Sequence, residues 1–315
     1  MRVVALAGGV GAARFLRGLV RAVVPEDLTV VVNTGDDHVF YGVHVSPDVD
    51  IVTYTLAGVV DPEKGYGLAG DTTALVDALA RFGHETWFRL GDRDYATCLH
   101  RTLRLAAGAG LAAVTEEIRG AFGVGARLLP MAEAPCPTLV ELGAGRTVHF
   151  ELYLARDGAP DEVSGVDLSA AAAAEPAPGV LEALAAADVV LLCPSNPVVS
   201  IGPILAVRGV RQALRQGAAP VVAISPIVGG APVKGPADRL LRGIGAEVSA
   251  RGVARLYGEL LDGYVLDERD AAQAEDVEAL GVRTVATATL MRDEGVARRL
   301  AETALALARG GRRRR

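Results

Sequence analysis

The chain has 315 residues, of which 50% are hydrophobic and 22% are charged, and its formal net charge is −6. A chain of this length and composition can bury a large core, as one large α/β domain or two smaller ones. The negative charge gives no basic field that would attract nucleic acid, so an anionic ligand must be held by a local pocket.

The cysteines and the first residues indicate the compartment. Cys98, Cys136 and Cys193 are far apart and form no CxxC pair, which argues against disulfides or a structural zinc site. We expect them to be buried, reduced thiols. The apolar run that ends at Gly8 is too short for a secretory signal or a membrane span. We therefore expect a cytoplasmic protein that binds neither nucleic acid nor a membrane.

Residues 1–35 have the pattern of one βαβ unit in a parallel sheet. The run Val3–Ala7 predicts a buried strand, the glycines after it a tight turn, and the apolar spacing that follows a helix. The run Leu28–Val32 predicts a second strand, which ends at Asn33. Functional groups are expected where these strands end, at the carboxyl edge of the sheet.

The rest of the chain shows a helical region and then further strand patterns. Residues 71–122 predict a helical insertion, and the runs at 187–193 and 220–224 predict more parallel strands. We expect one α/β domain over residues 1–315, with a mostly parallel sheet and helices on both faces. Further predictions are helices at 72–81, 96–107, 111–120 and 204–216, a surface connection at 170–179 and a disordered tail at 310–315.

The glycines after the first strand favour a phosphate site. Gly8, Gly9 and Gly11 let the backbone approach a phosphate at the N-terminus of the next helix. Arg14 stands where the dinucleotide fingerprint has its third glycine, which disfavours NAD, and the chain has no Walker A loop. A tight turn for strand–helix packing is the alternative explanation of these glycines.

Four aspartates, Asp36, Asp37, Asp48 and Asp50, follow the second strand within a short stretch. Carboxylates at a strand end can hold Mg²⁺ or take a proton from an alcohol. The sequence around Pro47 indicates a rigid turn into a helix, so a carboxylate there could instead cap that helix. A solvated acidic loop is a further alternative.

The segment Gly91-Asp92-Arg93-Asp94 precedes a predicted helix. One of its acids could cap that helix while Arg93 pairs with its neighbours, or the segment could bind a ligand. The residue types alone leave both options open.

Polar turns follow the later predicted strands. Ser195-Asn196 and the turn that begins at Ser225 could bind a nucleotide base or a phosphate, and Lys234 stands between glycine and proline signals. No GxSxG elbow is present, so a serine hydrolase has little support. The histidines show no HExxH spacing and are interpreted as structural, with His38 as a minor exception because it follows Asp37.

Six motifs, taken together and in order, resemble the 2-phospho-L-lactate transferase (CofD/FbiA) family. Each motif is weak by itself, but six in sequence are highly specific, and they extend from residue 1 to about residue 245. They are LAGGVGAARFLRGL, VVNTGDD, SPDVDIVTY, LGDRD, CPSNPVVSIGPIL and SPIVGGAPVKGPADRLL.

The resemblance implies a Rossmann-like core, a homodimer, and a place in the synthesis of coenzyme F420. It implies transfer of a phospho-acid from a GDP-linked donor to the ribityl hydroxyl of the deazaflavin Fo, with release of GMP and help from Mg²⁺. The residues it implies are Gly8, Gly9, Gly11, Arg14, Ser195, Asn196 and Lys234 for the nucleotide, Asp48, Asp50, Asp92 and Arg93 for the deazaflavin, Asp48, Asp50 and Arg93 for catalysis, and Asp36, Asp48 and Asp50 as candidates for Mg²⁺.

The chain departs from the archaeal form of the family at the glycine loop, where Arg14 replaces a lysine. This loop resembles the actinobacterial branch, which implies an enolpyruvyl donor, and the lactyl donor stays open beside it. A nucleotide-sugar-sensing regulator similar to the YvcK-like factors is an alternative, against which the LGDRD segment argues. An NAD-dependent oxidoreductase is a more distant one, because Asn33 stands where a ribose-binding acid would end the second strand.

Overall fold

The computed structural model describes residues 1–312, in which strands and helices alternate along the chain. The strands are β1 (Val3–Ala7), β2 (Leu28–Val32), β3 (His38–Phe40), β4 (Val43–Val45), β5 (Arg127–Pro130), β6 (Leu139–Leu142), β7 (Arg146–His149), β8 (Val163–Asp167), β9 (Val189–Leu192), β10 (Val221–Ile224), β11 (Ile227–Val228), β12 (Ala231–Pro232), β13 (Gly263–Asp267) and β14 (Arg283–Thr287).

The helices are α1 (Gly9–Leu19), α2 (Pro47–Leu56), α3 (Ala74–Leu79), α4 (Asp92–Ala106), α5 (Leu111–Ala121), α6 (Ser169–Ala173), α7 (Val180–Ala186), α8 (Ile201–Ala206), α9 (Val210–Gln216), α10 (Ala237–Gly243), α11 (Ala250–Tyr257), α12 (Ala274–Glu278) and α13 (Glu294–Ala308). The longest of them, α4 and α13, have 15 residues each. Within residues 1–312, no helix combines the length and the apolar character that crossing a membrane requires.

The central sheet has seven parallel strands in the order β14-β13-β10-β9-β1-β2-β5. From β1 the chain builds outward in one direction through β2 and β5, and then in the other through β9, β10, β13 and β14. The order therefore reverses between β1 and β9, and the crevice at their carboxyl ends is the expected ligand position of such a sheet. The predicted α/β fold with a mostly parallel sheet is confirmed.

Alternate residues of each central strand face two separate cores. In β1, Val3 and Ala5 belong to the core under α1, α2 and α13, whereas Val4 and Leu6 belong to the core under α7 to α11. This alternation follows from the two-residue period of a strand, and it explains why the strands read as continuous apolar runs. Helices cover both faces of the sheet, as predicted.

Several predicted bounds need correction. Helix α4 begins at Asp92, so the LGDRD acids lie in its first turn and not before it. The helix predicted at 204–216 is two helices, because Gly209 adopts a left-handed φ of 80° between α8 and α9. The segment 170–179 contains α6 and three buried alanines, so it is only partly a surface connection.

The chain between β2 and β5 carries the β3–β4 hairpin and α2 to α5. A small core of its own holds this region, in which the rings of Phe40 and Phe88 stack with centroids 3.8 Å apart. The antiparallel sheet β7-β6-β8 follows β5 and was not predicted. At the other end of the chain, Arg312 donates hydrogen bonds to the carbonyls of Leu214 and Ala219, and residues 313–315 of the predicted tail lie outside the described residues.

Candidate active site

The glycine turn, residues 8–11, lies at the point where the two halves of the sheet diverge. The amide of Gly8 donates a hydrogen bond to Ser195 Oγ over 3.3 Å, which joins the ends of β1 and β9. A Cβ atom at Gly8 would lie 2.5 Å from Asp48 Oδ2, and one at Gly11 would clash with the carbonyl oxygen of Pro194. These positions require glycine, because a side chain would push α1 away from its neighbours.

The N-terminus of α1 is suited to an anion. Gly9 has a left-handed φ of 72°, and its amide donates to Asp48 Oδ1 over 2.7 Å. The first turn contains no acidic residue, and the amides of Val10 and Gly11 have no acceptor within the helix. Together with the helix dipole, these amides favour a negatively charged group such as a phosphate.

Two cations, Arg14 and Lys234, lie near each other beside the glycine turn. The Lys234 ammonium donates to the carbonyl oxygen of Lys64 over 3.1 Å and lies 5.5 Å from the centroid of the Tyr66 ring. Burial, and then the charge of Arg14, lower the pKa of Lys234. Within residues 1–312 neither cation pairs with a carboxylate, in contrast to Lys64, which pairs with Asp61. Two adjacent cations without a counter-ion favour binding of an anion.

The side chains of Ser195 and Asn196 shape the turn after β9. Ser195 is buried and accepts from Gly8, as described above. Asn196 Oδ1 accepts from the amides of Val198 and Val199 over 2.9 and 3.3 Å, which orders the approach to α8. These side-chain oxygens therefore hold the wall of the crevice.

Asp48 lies in the first turn of α2 and faces the glycine turn. Its carboxylate accepts from the Gly9 amide and, over 2.9 Å, from Asn33 Nδ2 at the end of β2. Burial raises its pKa to about 6, against the opposing effect of these two hydrogen bonds. Asp48 thus joins the carboxyl ends of β1 and β2 to the start of α2.

The charge of Asp48 raises the pKa of two further buried carboxyl groups, Asp36 and Glu151. Burial, followed by the charges of Asp48 and Glu151, raises the pKa of Asp36 well above its usual value. Burial, followed by the charges of Asp48 and Asp37, raises the pKa of Glu151 to about 7. We call Asp36, Asp48 and Glu151 the acidic cluster.

The acidic cluster has the chemistry of a divalent-cation site. Asp36 Oδ1 is buried without a hydrogen-bond partner among the described residues, and no arginine or lysine of residues 1–312 forms an ion pair with the three carboxylates. Carboxylate oxygens are the ligands that Mg²⁺ prefers, and an added cation would relieve their mutual repulsion. The donor types of the acidic cluster therefore suit Mg²⁺, whereas among the described residues only Asp50, Asp94 and Cys98 bring three potential ligand atoms within 4.8 Å of one another.

Asp50 points to another partner, although it shares the first turn of α2 with Asp48. The fully buried guanidinium of Arg101 binds both carboxylate oxygens of Asp50 and donates to the carbonyl oxygen of His44 over 3.2 Å. Asp94 and Cys98 lie beside this pair, and potential ligand atoms of Asp50, Asp94 and Cys98 fall within 4.8 Å of one another. Because Arg101 already neutralises Asp50, this group is less suited to a metal ion than the acidic cluster.

The two acids of LGDRD have different partners: Asp94 accepts a hydrogen bond from the Tyr54 hydroxyl over 2.8 Å, whereas Asp92 caps a helix. The carboxylate of Asp92 accepts from the amides of Ala74 and Leu75 over 3.1 and 2.9 Å and so caps α3. The start of α4 is capped in turn by Asp71, which accepts from the Arg93 amide over 3.1 Å. Arg93 itself is exposed, donates to the carbonyl oxygen of Ala69 and pairs with Asp71 over 3.5 Å.

His149 lies beside the acidic cluster, two residues before Glu151 in the chain. Its ring packs against that of His38 at a centroid distance of 4.6 Å, and its Nδ1 accepts from the Glu151 amide over 3.2 Å. Burial, and then His38, lower the pKa of His149 to about 4, so the ring is neutral at pH 7. His38, which the sequence singled out among the histidines, therefore packs against His149, a partner that the sequence did not indicate.

The contacts bring some of the predicted site residues together and leave others apart. Gly8, Gly9, Ser195 and Asp48 are joined by direct hydrogen bonds at the crevice. Asp92 and Arg93 make their described contacts within the insertion and with residues 69–71.

The comparison with protein families decides the class of this chain. The family described as 2-phospho-L-lactate transferase CofD matches residues 3–299. The chain belongs to this family. The family predicted from the six motifs, and the transferase class, are confirmed.

Named relatives of the CofD family align with nearly the whole chain. A phosphoenolpyruvate transferase of Streptomyces griseus is 47% identical over 313 residues, which cover 98% of each chain. A 2-phospho-L-lactate transferase of Methanosarcina acetivorans is 41% identical over 303 residues, which cover 96% of this chain and 97% of the relative.

A solved structure shows the same fold. The crystal structure of a Bacillus halodurans protein of the UPF0052 family has a TM-score of 0.63 and 20% sequence identity, and the match covers 97% of this chain and 100% of that chain. At this identity the likeness concerns the fold alone.

Sequence reasoning missed Asn33, Glu151 and Arg101 as parts of the site and its support. Asn33 could have been found, because it ends β2 at the carboxyl edge of the sheet. Glu151 follows β7, outside the central sheet, and no local motif marks it. Arg101 lies within α4, where an arginine is usually exposed.

Proposed function

We propose that this chain is a cytoplasmic transferase in the synthesis of coenzyme F420. It would join the ribityl hydroxyl of the deazaflavin Fo to the phospho-acid of a GDP-linked donor and release GMP. The observation that carries this proposal is the hydrogen bond from Gly9 to Asp48, because it places a glycine turn suited to phosphate directly beside the acidic cluster.

The nucleotide belongs at the glycine turn. The amides of Val10 and Gly11, in a turn supported by Ser195 and Asn196, would contact the diphosphate, and Arg14 and Lys234 would neutralise its charge. Phosphoryl transfer depends mainly on alignment and on stabilisation of charge. These groups would stabilise the charge that develops on the GMP leaving group.

The reaction balances with the groups present. The ribityl oxygen forms a bond to the phosphorus that carries the acid, the bond from that phosphorus to the bridging oxygen breaks, and GMP leaves with that oxygen. The hydroxyl proton passes to a carboxylate of the acidic cluster, whose buried members have raised pKa values.

Asp36 and Asp48 would hold Mg²⁺, which when bound supplies positive charge to the diphosphate oxygens. The assignment of Asp50 to the metal or to catalysis stays a prediction. We place it after the other two, because its carboxylate already binds Arg101.

The deazaflavin would lie on the insertion side of Asp48. The Arg93 guanidinium donates to the carbonyl oxygen of Ala69, and its Nε lies 3.5 Å from Asp71 Oδ1, but the side chain is 58% exposed, so it can still contact a ligand near residues 69–71. Asp92 is engaged as the cap of α3, so we expect it to support this surface and not to contact the deazaflavin strongly.

We propose the enolpyruvyl donor over the lactyl donor. A relative from Streptomyces griseus that is 47% identical is named phosphoenolpyruvate transferase, whereas the Methanosarcina acetivorans relative, named for phospholactate, is 41% identical. The product would then be dehydro-F420-0, and with the lactyl donor it would be F420-0.

The decisive experiment incubates the purified chain with Fo, Mg²⁺ and equal amounts of guanylylated phosphoenolpyruvate and guanylylated phospholactate. We expect release of GMP and, by mass spectrometry, a deazaflavin product that carries mainly the enolpyruvyl group. Tight binding of nucleotide without detectable binding of Fo would support the YvcK-like regulator instead. Light scattering after gel filtration tests the homodimer that we propose from the family resemblance.

A further inference from the structure

Residues 61–70, which we call the 61–70 loop, form a compact turn. The Asp61 amide donates to the carbonyl oxygen of Gly67 over 3.0 Å, and the Gly65 amide donates back to the carbonyl oxygen of Asp61 over 2.8 Å. The Asp61 side chain also accepts from the amide of Lys64 over 3.1 Å. The loop therefore holds its own shape through internal hydrogen bonds.

The 61–70 loop packs against the phosphate end of α1. A Cβ atom at Gly65 would lie 2.9 Å from Val10 Cγ1 and 3.7 Å from Arg14 Nη2, and Gly65 has a left-handed φ of 77°. The loop can approach the glycine turn this closely only because residue 65 has no side chain.

The same loop holds Lys234 by two contacts. The Lys64 carbonyl oxygen accepts a hydrogen bond from the Lys234 ammonium, and the Tyr66 ring lies beneath that ammonium. An ammonium group is attracted to the face of an aromatic ring within about 6 Å of its centroid. Both contacts leave the charge of Lys234 unpaired, since neither partner is an anion.

We propose that the 61–70 loop, through the Lys64 carbonyl and the Tyr66 ring, positions the Lys234 ammonium for the diphosphate of the nucleotide donor. This inference rests on the proposed function for the identity of the nucleotide. Without the loop, a flexible lysine beside Arg14 would turn away to relieve repulsion between the two cations. Tyr66 is thus a positioning residue, which acts through Lys234.

The test measures dissociation constants of GDP, inorganic pyrophosphate and guanosine by calorimetry. We expect Tyr66→Leu to raise the dissociation constants of GDP and pyrophosphate by the same factor, about 2- to 5-fold, and to leave that of guanosine unchanged. Tyr66→Phe keeps the ring and should bind like the wild type. Phe82→Leu changes another exposed aromatic residue and should have no effect. In a Lys234→Met background, Tyr66→Leu should cause no further loss of affinity for GDP or pyrophosphate.

A second pair of variants separates position from stability. Gly65→Ala and Gly67→Ala both add a side chain at a left-handed residue of the loop, but a Cβ atom meets Val10 only at Gly65. We expect Gly65→Ala to raise the KM of the donor more than Gly67→Ala does, while the KM of Fo stays the same.

Four results would overturn the inference: wild-type affinity in Tyr66→Leu, a loss for guanosine but not for pyrophosphate, additive effects of Tyr66→Leu and Lys234→Met, or equal donor KM values in the two glycine variants. A wild-type chain that binds neither GDP nor pyrophosphate would contradict the proposed function as well. The two failures are therefore distinguishable.

Discussion

The glycine turn and the helical insertion both contain charged residues from the family motifs, but they use them differently. At the glycine turn, several charges have no ion-pair partner within residues 1–312: Arg14 and Lys234 pair with no carboxylate, and the acidic cluster pairs with no arginine or lysine. In the insertion the charges are paired or cap helices, as Arg101 pairs with Asp50 and Asp92 caps α3. Unpaired charge points to a ligand, whereas paired charge supports the fold.

The two aspartates of SPDVD show this contrast within one helical turn. Residues two apart on a helix point to different sides, so Asp48 meets the glycine turn while Asp50 meets Arg101. The motif therefore combines one group suited to chemistry with one suited to structure. The predictions below test that division.

The largest effect is expected from Asp48→Asn. It should lower the rate of GMP release about 10²- to 10⁴-fold, because it removes a charged carboxylate from the acidic cluster. The fold should survive, since an asparagine oxygen can still accept from Gly9. Steady-state kinetics measure the rate of GMP release, and circular dichroism checks the fold. Near wild-type turnover in this variant would remove Asp48 from the proposed chemistry.

Arg101→Met should cost about 3–5 kcal/mol of the free energy of unfolding, because it leaves Asp50 buried without its partner. Urea denaturation measures the loss. The matched control is Arg104→Met on the same helix, whose exposed pair with Glu117 should be worth less than about 1 kcal/mol. The double variant Asp50→Asn/Arg101→Met should recover part of the loss. Equal losses of stability in Arg101→Met and Arg104→Met would contradict the structural role of the buried pair.

The sequence predicted the central sheet and the glycine turn well, and the support of the acidic cluster poorly. Strands such as Val3–Ala7 can be predicted from sequence because apolar runs bounded by glycines are local patterns. The partners of Asp48 and Asp50 come from β2 and α4, and Glu151 comes from beyond the central strand β5. Such long-range pairing depends on tertiary packing, which no spacing rule contains.

Stability should depend on pH through the acidic cluster. The pKa values of Asp48 and Glu151 rise on folding to about 6 and about 7. Between their unfolded and folded pKa values the folded chain binds more protons, so the free energy of unfolding falls as the pH rises from about 4 to about 7. Calorimetry without Mg²⁺ should show a falling Tm, and added Mg²⁺ should reduce that fall.

Asp94 provides the control for this experiment. Burial, followed by the charge of Asp50, raises its pKa to about 7, so it adds to the same slope from within the insertion. Asp94→Asn should make the slope shallower without changing the response to Mg²⁺, whereas Asp48→Asn should reduce both. A Tm that rises with pH in the absence of Mg²⁺ would argue against an uncompensated acidic cluster.

The smallest effect is expected from Asp92→Ala, which should cost about 1 kcal/mol because α3 loses its N-terminal cap. Asp92→Asn keeps an acceptor and should recover most of this loss in a urea titration. Neither change should alter the KM of Fo, whereas Arg93→Ala should raise it, because the exposed Arg93 guanidinium is the group proposed to meet the deazaflavin. Asp92→Ala could instead raise the KM of Fo as much as Arg93→Ala does and leave stability intact. That result would mean that Asp92 contacts the deazaflavin directly. The division between paired and unpaired charge would then fail in the insertion.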